Sequence, residues 1–204
     1  MLWEHGLEAL HPWERKEEID NGEELVSEDS RLIALFRRNL EAYRNGEIPV
    51  ESHTYDELVV GQEVTEKIEI TKDLIKFFGI ATGDVNLAHM DEQYAATTKF
   101  QTQIMHGVFT DTIISKLLGT KLPGLGTIYL EKRNQKFLGT VKPGDILEVY
   151  VRVAEKGEKG RVLFNTGSRV NGEDIVTGQS LVIAPREKAA SPSTYKRPNQ
   201  NIRR

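Results

Sequence analysis

Ile80-Ala81-Thr82-Gly83-Asp84-Val85-Asn86-Leu87-Ala88-His89-Met90-Asp91 is followed, seventeen residues past His89, by His106-Gly107-Val108-Phe109. The first segment leaves a short helical pattern through Gly83 and carries an Asp and a His five positions apart in a loop. The second opens an apolar run, Val108, Phe109, Ile113, Ile114, Leu117 and Leu118, whose three- and four-residue steps predict a helix over 107–118. The apolar arc is wide, so this helix is expected to be buried. Gly119 and Pro123-Gly124 are expected to end it.

Just upstream, Thr71 is placed to cap a helix carrying Leu74, Ile75, Phe77 and Phe78, which Gly83 ends. Before it, partial alternation of Val64, Ile68 and Ile70 with Thr65, Lys67 and Glu69 predicts a strand within 58–70. Asp91 to Ala96 reads as a helical turn. Downstream, strands are expected from Ile128 to about Leu138, over Ile146–Val153, through Val162, Phe164 and Val170, and from Ile175 to Ile183. Pro143-Gly144-Asp145, Gly157 to Gly160 and Asn171-Gly172 separate them; the Asn-Gly pair is a hairpin signal. One strand, one buried helix and a four-strand antiparallel meander make an α+β fold, a sheet wrapped around a central helix. Such a sheet has edges, and pairing in a symmetric dimer would cover them.

Outside 55–185 the composition changes. Residues 1–29 are crowded with Glu and Asp, and read as a solvated extension or as a segment docking through Trp3 and Trp13. Leu32, Leu35, Phe36, Leu40 and Tyr43 predict an amphipathic helix between Ser30 as N-cap and Gly46 as stop. Residues 47–57 read as a linker. The organisation expected is thus 1–54 as an acidic extension with a helix, 55–185 as the main domain, and 186–204 as a basic, disordered tail.

Composition excludes several classes. The 204 residues contain no cysteine, so disulfides, thiolate catalysis and Cys-based metal sites are ruled out. No apolar run approaches the roughly 18 residues of a membrane span, and the first residues lack a signal-peptide pattern. The net charge of −4 argues against a nucleic-acid groove. A cytoplasmic protein with neither a membrane nor a nucleic-acid partner is expected.

Asp84 and His89 are the candidate acid/base pair. Each alone is an ordinary turn residue. Together they pair a carboxylate with the side chain whose ordinary pKa, about 6.5, suits proton transfer at neutral pH. Asn86 between them either orients a bound group or caps the turn. The free N–H of Gly107 at a helix start could bind an oxygen that becomes enolate-like. His106 reads as structural, since one His is enough for the pair. Ser115, two turns on, either bonds a backbone carbonyl or steadies the loop. His89 and His106 lack the ligand spacing of known metal motifs, so no metal is expected.

Thr82-Gly83-Asp84-Val85-Asn86-Leu87-Ala88-His89, with Ile104-Met105-His106-Gly107, Leu122-Pro123-Gly124 and Lys142-Pro143-Gly144-Asp145, resembles the MaoC-like dehydratase family of (R)-specific enoyl-CoA hydratases. The resemblance covers roughly residues 55–185. It implies a hot-dog fold, a homodimer or a multiple of one, and an acyl-CoA tail near the subunit interface. It implies catalytic roles for Asp84 and His89, an oxyanion role for Gly107 and a supporting role for Ser115. Leu87 and Thr140 stand where the family usually has proline. The activity implied is reversible hydration of a trans-2-enoyl-CoA to a 3-hydroxyacyl-CoA, the CoA thioester being the substrate, with no cofactor. The alternatives are thioester hydrolysis, hydration of a branched or dicarboxylic enoyl-CoA, and a silent acyl-CoA-binding module.

Overall fold

The computed structural model describes residues 49–189 without a break, together with Ala34, Arg37, Leu40, Glu41, Ala42 and Asn45. Those six are helical, within the span expected of the amphipathic helix. Its caps at Ser30 and Gly46, the docking of Trp3 and Trp13, the acidic segment 1–29 and the tail from residue 190 lie outside the described residues.

Strand β1 (Glu63–Glu69) leads to helix α1 (Lys72–Thr82), the short helices α2 (Leu87–Met90) and α3 (Glu92–Thr97), and helix α4 (Phe109–Thr120). Strands β2 (Ile128–Phe137), β3 (Ile146–Lys156), β4 (Arg161–Val170) and β5 (Glu173–Ile183) follow. Local chemistry accounts for several of these boundaries. Thr71 accepts the Leu74 N–H at 3.1 Å and starts α1; Gly83, left-handed at φ +76°, stops it. Asn171 and Gly172 both take positive φ, +52° and +84°, as a two-residue hairpin between β4 and β5 requires. α4 runs one residue past Gly119, so that glycine lies inside the helix and does not end it.

All sheet pairings are antiparallel, in the order β1-β3-β4-β5-β2. Only β3, β4 and β5 form a meander. The expected four-strand meander is therefore corrected: β2 pairs with β5 at the far edge. The connection after β2 explains why. Val141 accepts the Met105 N–H at 2.8 Å, and the Pro143-Gly144-Asp145 turn is tied to the end of β1 by Gly144 N–H to Ile70 O at 2.8 Å and Ile70 N–H to Asp145 O at 2.9 Å. β3 is thus delivered beside β1, away from β2.

The sheet curves around α4, the hot-dog arrangement. Ile114, Leu117 and Leu118 of α4 are fully buried in one cluster with Leu147, Val149, Val151, Val153, Phe164 and Val182. The burial of α4 is one-sided, since Thr112, Ser115 and Lys116 are exposed. Phe164 has no exposed surface and sits on a central strand. Phe164→Ala is expected to cost about 3–5 kcal/mol of stability, read as a lowered denaturant midpoint at unchanged slope. A loss below about 1 kcal/mol would show that this face is loosely packed.

The segment expected to be a linker is partly built into the fold. Glu51 N–H reaches Thr120 O at 2.7 Å, His53 N–H reaches Pro123 O at 2.8 Å, and Glu51 O accepts the Leu125 N–H at 2.8 Å. The first tail residues are held as well: Lys188 pairs with Glu57 at 2.9 Å, and Ala189 N–H donates to Ser52 Oγ at 3.1 Å. The two edges are β1 and β2, and β2 exposes Ile128, Leu130 and Phe137.

Candidate active site

His89 does not lie in a loop. Asn86 accepts the Ala88 N–H at 3.0 Å through its side chain and caps α2, so His89 sits on a helical turn and Asp84 in the link from α1. Leu87 occupies the first helical position, where a proline would be accommodated equally well. The link packs tightly on α1: a Cβ at Gly79 would meet Met90 Sδ at 2.5 Å and Asp84 O at 3.1 Å.

Residues 103–106 hold this turn from the other side. Gln103 Nε2 donates to His89 O at 2.9 Å, and Ile104 N–H donates to Ala88 O at 3.3 Å. His89 Nδ1 is 2.8 Å from Ile104 O. A carbonyl only accepts, so Nδ1 carries the proton and Nε2 is left with its lone pair. His106 is buried, and its Nε2 donates to Asp84 O at 2.9 Å. Its ring stacks on that of His89 with centroids 3.9 Å apart, and Phe78 lies 5.0 Å away, tilted. Burial pushes the His106 pKa below the ordinary imidazole value.

One ligand-capable atom each from Asp84, His89 and His106 lies within 4.8 Å of the others. Sequence spacing gave no metal motif here, yet these three are the set among the described residues that could hold a metal ion. The same three supply a carboxylate and an imidazole for proton transfer. Asp84 is exposed and His89 half-buried, so water can reach both.

Gly107 is exposed, and its N–H finds no acceptor among the described residues. It lies two residues before the first helical residue, Phe109, so the helix starts two residues later than expected. The Phe137 ring rests against it; a Cβ there would meet that ring at 3.0 Å and 3.1 Å. A cavity of about 150 Å³ opens beside His89, His106 and Gly107 and runs on between Met105, Phe109, Val141, Leu147, Ile175 and Val176. Thr140 is in its wall. Ser115 is exposed and does not line it. Nor does Asn86, whose side-chain oxygen is engaged in the cap.

Sequence reasoning therefore placed Asp84, His89 and Gly107 at one locus. It missed the double contact of His106 with the pair and the cavity walls on β3, β5 and the 137–141 segment. The burial of a His beside a Gly that opens an apolar helix was the available signal for the former.

The MaoC like domain family matches residues 57–173. A 3-hydroxybutyryl-CoA dehydratase of Methylorubrum extorquens is 38% identical over 139 residues, which are 68% of this chain and 88% of the relative. An (R)-specific enoyl-CoA hydratase of Rhodospirillum rubrum is 36% identical, over 65% of this chain and 92% of the relative. Among solved structures, the unliganded R-hydratase PhaJ1 of Pseudomonas aeruginosa superposes with a TM-score of 0.65 at 39% identity, covering 69% of this chain and 90% of that one.

Proposed function

The chain belongs to the family of MaoC-like domains, and from that premise we propose that it is an (R)-specific enoyl-CoA hydratase, adding water reversibly to a trans-2-enoyl-CoA. The observation that carries this is a single locus. A carboxylate oxygen of Asp84 and a ring nitrogen of His89 lie within 4.8 Å of one another, and His89 lines an apolar cavity together with Gly107, whose N–H has no acceptor among the described residues. The names of the relatives, a 3-hydroxybutyryl-CoA dehydratase and an (R)-specific enoyl-CoA hydratase, support the same reaction.

The acyl chain occupies the cavity with its thioester oxygen at the Gly107 N–H. A water lies between the Asp84 carboxylate and His89 Nε2. As its oxygen bonds to C3, the pair removes one proton; negative charge moves through C2 onto the thioester oxygen, where the Gly107 N–H stabilises it. The pair then returns a proton to C2, and the 3-hydroxyacyl thioester is complete. Both transfers occur from one side, because the two groups act on the same water. Nothing in these steps calls on a metal or a redox cofactor.

The test is an absorbance assay for loss of the enoyl thioester over a chain-length series, with the product resolved by chirality. Turnover to the (R)-3-hydroxyacyl-CoA is expected. Release of free CoA without hydration would favour a thioesterase, and binding without turnover a silent acyl-CoA module.

The working unit is a cytoplasmic homodimer or a multiple of one, with an acyl-CoA partner and no nucleic-acid or membrane partner. The exposed apolar residues Ile128, Leu130 and Phe137 on edge strand β2 support pairing with a second copy. Among the described residues no helix is long and apolar enough to cross a membrane. Light scattering at assay concentration is expected to give a dimer mass or a multiple; an active monomer would remove this claim. The catalytic unit is the domain assigned to 55–185, with the 50–54 strap and the docked residues to 189. A 50–190 chain is therefore expected to keep turnover, and a folded dimer of that chain without turnover would assign the extension to the active site.

A further inference from the structure

We propose that His106 is the positioning residue of this site: a neutral imidazole that sets Asp84, His89 and the Gly107 amide in mutual register. Three contacts converge on it. Its Nε2–H holds the Asp84 carbonyl at 2.9 Å. Its face supports the His89 ring at 3.9 Å between centroids. Its own carbonyl carbon is bonded to the Gly107 nitrogen, so any shift of His106 moves the oxyanion donor too. His89 is otherwise fixed by one hydrogen bond, to Ile104 O, which allows the ring to tilt about that bond. The stacked His106 face removes that freedom. The Asp84 carbonyl is held by His106 and packs closely on Gly79.

The second ring nitrogen shows which state does this. His106 Nδ1 is buried and has no hydrogen-bond partner. A proton placed there would be a buried donor without an acceptor, at a cost the protein avoids by keeping the ring neutral. The titratable groups facing the ring are His89 on α2 and Asp84 in the preceding link; α1 contributes the apolar Phe78. Burial disfavours the cation most and a protonated His89 adds to it; the Asp84 carbonyl and carboxylate favour the cation, and the net direction is downward. One tautomer remains, with the proton on Nε2, and only that tautomer can donate to the Asp84 carbonyl. The ring thus has no proton to give the substrate, which separates its task from that of His89.

This inference rests on the hydratase reading for its kinetic arm but not for its spectroscopic one. Long-range ¹H–¹⁵N spectra of the full chain, labelled at histidine, are expected to show His106 neutral at pH 7 with the proton on Nε2. A cation, or a proton on Nδ1, would overturn the proposal whatever the activity. In the kinetic arm, His106→Phe keeps the stacking ring and removes the donor, while His106→Gln puts an amide N–H close to where Nε2–H stood. Because a displacement of about 1 Å costs on the order of 10²-fold in a positioned reaction, His106→Phe is expected to lower kcat about 10- to 100-fold. His106→Gln, which returns the donor but not the face that stacks on His89, is expected to recover kcat part of the way, above the Phe variant and below the parent, with KM within about threefold in both variants. A Phe variant with near-parental kcat would show that the residue merely fills space. Gln no better than Phe, with kcat falling in step with Tm, would show a purely structural role. A parent that hydrates no enoyl-CoA would remove the functional reading and leave the spectra to decide the clamp.

Discussion

Asp84→Asn and His89→Ala are each expected to lower kcat by about 10²–10⁴-fold, the usual contribution of a positioned acid or base. One ligand-capable atom of each lies within 4.8 Å of the other, and in the proposed reaction they act on one water, so neither can take over the other's part. One proton must leave the water as another arrives on the same side of the substrate. Asn keeps the shape of Asp84 and can still accept the Asn86 N–H now 3.4 Å away, so the link should keep its turn while the basicity goes. Ala at 89 removes the imidazole, and with it the hydrogen bond to Ile104 O. KM should move far less than kcat, since most binding contacts are expected along the acyl chain and the CoA. Groups that act as a unit are non-additive, so the double variant should fall little below the worse single one. The measurement is the initial rate of enoyl thioester loss in folded protein with the oligomeric state of the parent. Either single variant working within a few-fold of the parent would sink the acid/base assignment.

Removal of the Gly107 N–H is expected to cost about 10²–10³-fold in kcat, the loss seen when one oxyanion donor is deleted. Gly107→Pro deletes it but also biases His106 toward extended backbone. Replacement of the Gly107 amide by an ester, which exchanges N–H for oxygen and leaves the chain direction intact, is the cleaner arm. Gly107→Ala is the steric control. Its N–H survives, and its Cβ would press on the Phe137 ring at 3.0 Å and 3.1 Å. That ring is 55% exposed at a strand end, so it can swing away, and the loss should stay within about tenfold. If Ala were as damaging as the ester and Phe137→Ala restored it, the glycine would be required for space and not for its amide.

Stability and chemistry are separable in these tests. The Phe164 side chain and the α4 residues Ile114, Leu117 and Leu118 make the core, whereas Asp84 is exposed and His89 half-buried. Asp84→Asn should therefore leave the denaturant midpoint nearly unchanged, while Phe164→Ala lowers it.

What the sequence by itself determined is local. Thr71 and Gly83 bound α1 because a cap oxygen and a left-handed glycine act within four residues of themselves. Asn171-Gly172 made the β4–β5 hairpin for the same reason. The apolar period of 107–118 announced α4 as the packed helix, since a 3.6-residue repeat is written along the chain. Asp84, His89 and Gly107 were legible as a candidate set because their residue types and order suit acid/base chemistry beside an oxyanion donor. The α2 turn was missed because Asn86 is equally a cap and a loop residue, and only the packing of residues 103–105 on α2 chooses between them.

Tertiary structure alone decided the rest. Alternation marks a strand but not its neighbour, and the place of β2 beside β5 depends on contacts of residues 138–145 with Met105 and Ile70, far away in the chain. The cavity walls come from five separate stretches that only the tertiary fold brings together. Neither Ser115, on the exposed side of α4, nor Asn86, engaged in the α2 cap, lines that cavity, which residue type does not reveal. His106 is the sharpest case. In the sequence it is a histidine before a glycine; its hold on both Asp84 and His89 exists because burial and stacking are properties of three segments folded onto one another.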